Sequence, residues 1–373
     1  MKKVLHISKY YYPFRGGTEQ IAQDCVNSLK GLCEQKVICF NDVNIDKRDA
    51  VDGVEVVRCG TFAKVASQGL SVSFGKRLKN IIKEFAPDII IFHYPNPFVA
   101  RYLLKYIPSN TKLAIYWHLD IVKQKFIKRF FEGQNRRLIA RADILIATSP
   151  TYVEGSPYLS SARSKCRVVP NCINVERLVS SSEVEKKANE IREANKDKII
   201  CLAVGRHTEY KGFKYLVQAA HLLDDRFQIY ITGKGEETDN LKAEAGNDEK
   251  IHFLGLVDDV DLKGYLTAMD IFCFPSITKN EAFGLALAEG MYYGKPAVTF
   301  TIPGSGVNYV SLDGVTGIEV ENRNVKAYAN ALIKLADNPD LRKEYGKAGK
   351  KRVEDNFLNT QFRDNIIDVI NSL

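Results

Sequence analysis

The segment Pro275-Ser-Ile-Thr-Lys-Asn-Glu-Ala-Phe-Gly-Leu-Ala-Leu-Ala-Glu-Gly-Met-Tyr-Tyr-Gly-Lys-Pro places two carboxylates, Glu281 and Glu289, around a strand-to-helix turn. A strand ending near Pro275 and a helix beginning near Phe283 set Glu281 in the loop and Glu289 about two turns into the helix. At ~1.5 Å rise per residue the two stand ~10–12 Å apart along the axis, a span that matches the two ends of a sugar diphosphate nucleoside. On that reading Glu281 reaches the sugar and Glu289 the ribose hydroxyls. The N–H groups of Phe283, Gly284 and Leu285, at the helix N-terminus between them, then face the pyrophosphate. A plainer reading fits the same residues, with Glu281 favouring the helix dipole and Glu289 solvated.

Two cations have matching placement. Arg206 and Lys211, in Ala203-Val-Gly-Arg-His-Thr-Glu-Tyr-Lys-Gly-Phe, fall in the loop after a strand and at the start of a helix. Arg offers a fork and Lys a point charge to a pyrophosphate, although solvated loop charges are the alternative. Gly233 and Gly235 follow the next strand in Thr232-Gly-Lys-Gly-Glu-Glu and add a weak G-x-G. Near the start, Gly16 and Gly17 lead into a helix with apolar Ile21, Cys25, Val26 and Leu29. Bare glycine N–H groups beside a helix start favour an anion, and a plain turn capped by Thr18 is the alternative. The dinucleotide pattern G-x-G-x-x-G is missing. Asp259-Val-Asp261 is a literal D-x-D, but its position before a helix suits capping rather than metal binding.

These residues need sheet edges to hold them. Strand-like runs such as Val4-Leu-His-Ile, Lys36-Val-Ile-Cys-Phe, Asp88-Ile-Ile-Ile-Phe, Lys112-Leu-Ala-Ile-Tyr and Asp143-Ile-Leu-Ile-Ala alternate with helix-period segments. The rhythm restarts at Lys198-Ile-Ile-Cys-Leu-Ala-Val-Gly and runs on through Phe227, Ile251, Asp270 and Pro296. Strands buried on both faces imply two parallel, doubly wound α/β sheets, with a ligand in the cleft where they face each other. The expected division is 1–180, a polar linker, in part helical, over 181–197, a second domain over 198–350, and a final helix over 351–373.

With 373 residues, 45% apolar and 26% charged, the chain has the composition of a folded two-domain protein. Its apolar runs are far short of a membrane span, and its eight cysteines form no C-x-x-C, so reduced structural thiols in the cytoplasm are expected. The net charge of +8 is uneven, about +13 over 1–180 and about −5 over 181–373. The basic excess concentrates in Ile121–Arg141, where Val122, Phe126 and Phe130 form a stripe, flanked by Ile127 and Phe131, among Lys123, Lys125, Lys128 and Arg129. Such a helix suits attachment to an anionic membrane surface or packing into its own domain. No nucleic-acid-binding motif accompanies the charge, and nothing sets the oligomeric state.

Taken together, the chain resembles the retaining glycosyltransferases of family 4, which have the GT-B fold. The resemblance rests on Gly16-Gly17, Trp117-His118-Leu-Asp120, Val169-Pro-Asn-Cys-Ile-Asn, Gly205-Arg206 with Lys211-Gly212, Gly233-x-Gly235, Phe253-Leu-Gly-Leu-Val257 and Glu281 to Glu289, in order along nearly the whole chain. Cys172 and Gly290 depart from the family pattern, which has Gly and Ala there. The resemblance implies that Arg206 and Lys211 neutralise the leaving diphosphate, Glu281 contacts the sugar, Glu289 holds the ribose and the backbone near Val257 reads the base. It also brings the Gly17 loop toward the donor phosphate and acceptor, and His118 near the reacting centre, makes the first domain the acceptor side and the second the donor-nucleotide side, and returns the final helix to the first domain. The implied partners are a nucleotide-diphosphate sugar, GDP-mannose slightly ahead of UDP-sugars, and a glycan or lipid-linked acceptor. No cofactor or metal is expected, and the implied location is the cytoplasm, at the inner face of the membrane if the basic helix binds there. A sugar-nucleotide epimerase or hydrolase of the same fold, or a silent sugar-nucleotide-binding subunit, is the alternative.

Overall fold

Runs of β-branched and aliphatic residues become the inner strands of two sheets, with every side chain of Ile89–Tyr94 and Ile271–Phe274 buried. Burial on both faces is what forbids a polar alternation in these strands. The structure, a computed structural model, describes residues 1–14, 16–65, 68–120 and 125–373, without the side chains of 125–130. Two compact units result, one of residues 1–171 with 359–373, the other of 172–358.

The first unit contains β1 (Lys2–Ile7), β2 (Cys33–Phe40), β3 (Lys47–Val51), β4 (Val54–Cys59), the small hairpin β5 (Ala63–Val65) and β6 (Gln68–Leu70), β7 (Ile89–Tyr94), β8 (Lys112–Trp117), β9 (Ile144–Ala147) and β10 (Cys166–Val168). Apart from the hairpin these form one sheet in the order β10-β9-β8-β7-β1-β2-β4-β3. The sheet is not wholly parallel as expected, because β3 pairs antiparallel with β4 at the edge. Asp52 and Gly53 make the connection, both at positive φ (50° and 85°), a two-residue turn whose twist matches the flanking strands.

The second unit contains β11 (Ile199–Val204), β12 (Phe227–Thr232), β13 (Ile251–Gly255), β14 (Ile271–Phe274), β15 (Ala297–Phe300) and β16 (Gly317–Val320). All pair in parallel, in the order β13-β12-β11-β14-β15-β16. The connections run one way from β11 to β13 and the other from β14 to β16, so the chain's switch point lies between β11 and β14. Loops diverge there and leave a crevice at the carboxyl ends of the strands. The core beneath it includes Ile200, Leu202, Leu216, Phe272, Leu287 and Phe300, all fully buried. At roughly 1.5–3 kcal/mol for each large apolar side chain, such burial is what holds the loops in place.

Two boundaries differ from the sequence expectation. Residues 181–197 are not a linker: Ser182–Ala194 is a helix of the second unit, capped by the Ser181 side chain on the Val184 N–H. Its buried face of Val184, Ala188 and Ile191 packs on the helix Asp259–Ala268, and Arg192 makes a forked pair with Asp270 at 2.9 and 3.0 Å. Nor is 351–373 one helix. The helix Pro339–Asn356 belongs to the second unit and stops before Phe357, which is buried in that core and whose carbonyl accepts from the Ile173 N–H at 2.8 Å. The last helix, Asn359–Asn371, packs in the first unit on Gly17–Ser28, with Lys2 donating to the Ile370 carbonyl at 2.8 Å. Among the described residues, no helix is long and apolar enough to cross a membrane.

Candidate active site

The switch point of the second sheet gathers the charged residues. After β11 the chain passes through Gly205, Arg206 and His207 into a short 3-10 turn, Glu209–Lys211, and then Gly212 opens the helix Phe213–Ala220. Gly212 sits at φ 65°, and a Cβ there would overlap the carbonyl oxygen of Pro275 at the end of β14. Glycine is therefore what lets the two loops touch. The Ile277 N–H donates to the Tyr210 carbonyl at 2.9 Å and ties the loops together.

Lys211 thereby meets Glu281. The ammonium forms an ion pair with Glu281 Oε2, and the Ser276 hydroxyl donates to the same oxygen at 3.2 Å. Both side chains are largely buried, and the ammonium lies over the Phe274 ring. Burial alone would lower the Lys211 pKa, but the Glu281 carboxylate and the Tyr210 phenol outweigh it and the net shift is upward. Arg206, close enough to oppose that rise, is exposed and its guanidinium has no ion pair among the described residues. Glu281 is also held from behind, since its carbonyl accepts from the Ser305 hydroxyl and the Ala282 carbonyl accepts from the Gly306 N–H. Ser276 and Ser305 were not singled out in the sequence. Only their meeting with Glu281, Ser276 from the same loop and Ser305 from the loop after β15, marks them.

The helix after Glu281 begins at Leu285 rather than Phe283, with Gly284 as its cap at φ 94° and no side-chain cap. Phe283 consequently contributes no helix-end N–H, and its ring is buried edge-on against Phe357. The open N–H groups at this end belong to Leu285 and its successors, with no acidic side chain in the first turn, an arrangement that favours an anion. Glu289 is the fifth residue of this helix and mostly buried. Burial pushes its carboxyl up to about 7, against a downward pull from Arg177 on the 3-10 turn Val175–Leu178. Arg177 is a third residue that the sequence did not flag, and the Tyr293 hydroxyl, beside Glu289, donates to the Leu178 carbonyl at 3.2 Å.

Gly233 stands at the end of β12, where a Cβ would overlap the Gly205 carbonyl oxygen, and its N–H donates to the Gly255 carbonyl at 2.7 Å. Its role is thus close approach between adjacent loops, and Val257 lies half-buried just beyond β13 on the same edge. Asp258, not Asp259 or Asp261, caps the helix Asp259–Ala268, accepting from the Asp261 N–H at 2.8 Å. Asp261 itself pairs with Lys187 at 2.8 Å. Among the described residues, no three His, Cys, Asp or Glu side chains are grouped to hold a metal.

In the first unit, Gly16 and Gly17 are exposed at the start of the helix Gly17–Ser28. Gly16 rather than Thr18 is the cap, with no side-chain hydrogen bond, and the Glu19 carboxylate crowds the space beside it. His118 directly follows β8. Its backbone N–H donates to the Tyr94 carbonyl at 3.0 Å, and its ring Nε2 lies 3.0 Å from His93 Nδ1. The ring stacks on Tyr116 at 4.5 Å, is 5% exposed, and burial brings its pKa down to about 3. Asp120 fixes the turn, accepting from Trp117 Nε1 at 2.9 Å and the Ser156 hydroxyl at 2.8 Å. At the carboxyl ends of β2 and β7 a groove of about 1080 Å³ is walled by Phe62, Phe98 and Phe131 and bordered by Arg101, Lys105 and Arg137. Of the basic stretch, Ile121, Val122 and Lys123 lie outside the described residues, as do the side chains of Lys125, Phe126, Ile127, Lys128, Arg129 and Phe130.

Known families and proteins show what the chain is similar to. The family model described as Glycosyltransferase Family 4 matches residues 15–177, and that described as Glycosyl transferases group 1 matches 184–352. The O-antigen chain mannosyltransferase C of Escherichia coli is 28% identical, over 100% of this chain and 98% of that protein. A D-rhamnosyltransferase of Pseudomonas aeruginosa is 29% identical over 95% of this chain and 92% of its own length. Among solved structures, the sucrose-phosphate synthase of Thermosynechococcus elongatus superposes with TM-score 0.78 at 18% identity, covering 100% of this chain and 99% of that one. Anabaena HepE, solved in complex with UDP, superposes with TM-score 0.76 at 18% identity over the full length of both. At such identities the likeness shows the fold.

Proposed function

Because the chain belongs to family 4 of the glycosyltransferases, of GT-B fold, we propose that it moves a hexose from a nucleotide-diphosphate sugar to a hydroxyl of a growing glycan, with retention and without a metal. The observation that carries this reading is the Lys211–Glu281 pair at the switch point, beside Arg206 and an uncapped helix N-terminus. Two cations and a helix end supply the positive charge that a departing diphosphate needs. Glu281 is committed to Lys211 and Ser276, which makes it a poor nucleophile and a good electrostatic support for an oxocarbenium-like sugar.

The bond from the anomeric carbon to the phosphate oxygen then breaks while a bond to the acceptor oxygen forms on the same face. The acceptor proton passes to the leaving phosphate, so atoms and charge balance without a protein base. Glu289 holds the ribose hydroxyls, and the backbone near Val257 and Gly233 borders the base.

The relatives' names, an O-antigen chain mannosyltransferase and a D-rhamnosyltransferase, favour GDP-mannose as donor and a cell-surface polysaccharide as product, with UDP-sugars close behind. The aromatic, cation-bordered groove of the first unit suits a lipid-linked, phosphate-bearing acceptor, met by a peripheral enzyme at the inner membrane face. The test is to incubate purified protein with a panel of sugar nucleotides, with and without membrane lipid extract, and to identify the nucleotide released. Acceptor-dependent release of one nucleotide is expected. Equal release without acceptor would mean a hydrolase or epimerase, and binding without release a silent subunit.

A further inference from the structure

The loops that follow β11, β12 and β13 are bonded to one another in series, and a fully buried histidine, His207, sits where the first two meet. At the outer end, the Gly255 carbonyl accepts from the Gly233 N–H at 2.7 Å and from the Thr232 hydroxyl at 2.9 Å. The Thr232 carbonyl accepts from the Gly205 N–H at 3.1 Å, one residue before Arg206. One residue after Arg206, the His207 N–H donates to the Lys234 carbonyl at 3.1 Å, and the His207 carbonyl accepts from the Glu237 N–H at 3.0 Å. Gly235 lies so close to this backbone that a Cβ on it would overlap the His207 carbonyl oxygen.

The main chain of Arg206 is thus pinned on both sides, while its side chain is exposed and has no ion pair among the described residues. A guanidinium on a long stem loses rotamer freedom when it binds, so the direction in which the backbone launches it decides how well its fork meets a diphosphate.

The His207 ring adds a bond that the main chain does not make. Its Nδ1 lies 3.0 Å from the Thr238 hydroxyl, which also bonds the Gly235 N–H at 3.0 Å and the Gly235 carbonyl at 2.9 Å. Ring Nε2 has no partner, so Thr238 is the ring's one polar tie among the described residues. The ring is otherwise packed edge-on against Phe213 at 5.3 Å and Phe253 at 6.2 Å. Burial lowers its pKa, and it brings no charge of its own to the loop. A phenylalanine would fill this space without the cost of burying an unpaired ring nitrogen. What a phenylalanine cannot do is hold Thr238, and through it the start of the helix Thr238–Ala245.

We propose that His207 is a positioning residue for the donor: by holding Thr238 it fixes the loop of Arg206 against the loop of Gly233, and so aims the guanidinium at the diphosphate. The aim rests on the donor-site reading of Arg206; the tie between the loops does not.

Titration calorimetry with GDP and with UDP, continued with whichever binds the wild type more tightly, reads the aim. Amide exchange over residues 205–211 and 233–238 reads the tie. His207→Phe should raise Kd roughly threefold to tenfold, bounded by the loss of the charge-assisted bond itself, and should quicken exchange in both segments. Thr238→Val should do the same, and carries the comparison if His207→Phe does not fold. His207→Asn, whose amide can stand where Nδ1 stood, should recover most of the loss. In an Arg206→Ala background, His207→Phe should change Kd by less than about twofold, because a residue that acts through Arg206 has nothing left to aim. An equal rise in both backgrounds would overturn the proposal, as would wild-type Kd in His207→Phe and in Thr238→Val. Unchanged exchange in both variants would remove the tie. A wild type that binds neither nucleotide would defeat the donor reading and the aim with it, while exchange would still decide the tie.

Discussion

At the carboxyl edge of the second sheet the polar groups are charged and mutually bound: Lys211 with Glu281, and Glu289 within the field of Arg177. At the same edge of the first sheet the groups around His118 are neutral, aromatic and stacked, with His118 against Tyr116 and His93, while Arg101, Lys105 and Arg137 border the groove beyond β2 and β7. The first arrangement can neutralise a diphosphate and follow a developing charge. The stacked rings around His118 can orient a hydroxyl but offer it no charge. The contrast supports the proposed division of labour between a donor side and an acceptor side, and it says which substitutions should change rate, affinity or pH dependence.

The largest effect is expected at Glu281. Glu281→Gln removes the negative charge beside the developing cation and releases Lys211, and turnover should fall ~10²-fold or more, the scale for losing one electrostatic group. Thermal melting should show the fold intact, because the loop is still held by Ser305 and Gly306. Near-normal turnover would break the assignment of charge chemistry to this edge. Arg206→Ala comes next. The side chain is exposed and has no ion pair among the described residues, so stability should stay within roughly ±0.5 kcal/mol. Donor KM should nevertheless rise, by roughly tenfold for the loss of one charge-assisted bond. An unchanged KM would leave Lys211 and the helix end as the only diphosphate contacts.

The parts of this contrast differ in how far sequence reasoning could reach them. Arg206, Lys211, Glu281 and Glu289 are legible because each stands beside a strand run and a helix run, where loop and turn positions follow from local pattern. That Lys211 and Glu281 touch is not legible, since the contact depends on β11 and β14 being neighbours at the switch point. Arg177 is hidden for the same reason. His6 and His93 look like interruptions of apolar strands until register puts them on one face. The hairpin of β3 and β4 did carry a signal, Asp52-Gly53 just before the strand-like Val54-Glu-Val-Val. Val184, Ala188 and Ile191, at helical spacing, were enough to make a packed helix of a segment whose overall polarity suggests a linker.

A subtler test separates the two edges by pH. Burial lifts the Glu289 carboxyl from 4.5 to about 7, whereas His118 and His6 are brought down to about 3 and about 4. Of these, only Glu289 changes charge near neutrality, so kcat/KM for the donor should climb through about pH 7 as the ribose-binding carboxylate forms. Glu289→Gln should flatten that limb. Its effect on stability has the opposite sense. The folded state holds a proton between pH 4.5 and about 7 that the unfolded chain has lost, so the buried charge costs stability above about 7. The variant should therefore be more stable at pH 8, by up to roughly 3 kcal/mol, and converge on the wild type near pH 4.5. A lower melting point at pH 8 would mean that Arg177 stabilises the carboxylate more than burial opposes it.

The smallest expected effect is none at all, and it bears on where the second edge gets its charge. If Arg206, Lys211 and the open end of the helix Leu285–Tyr292 neutralise the diphosphate, transfer should persist in EDTA and change little on adding magnesium or manganese. Asp259 and Asp261 sit in the first turn of a helix capped by Asp258, and Asp261 is already engaged by Lys187, so their charges serve that helix and its neighbour. Loss of transfer on chelation, restored by metal, would require a cation on the donor phosphates. Arg206→Ala would then tell the two sources of charge apart: added metal should leave its raised KM in place if the guanidinium binds the diphosphate directly, and should lower it toward the wild-type value if a cation can stand in for the missing fork.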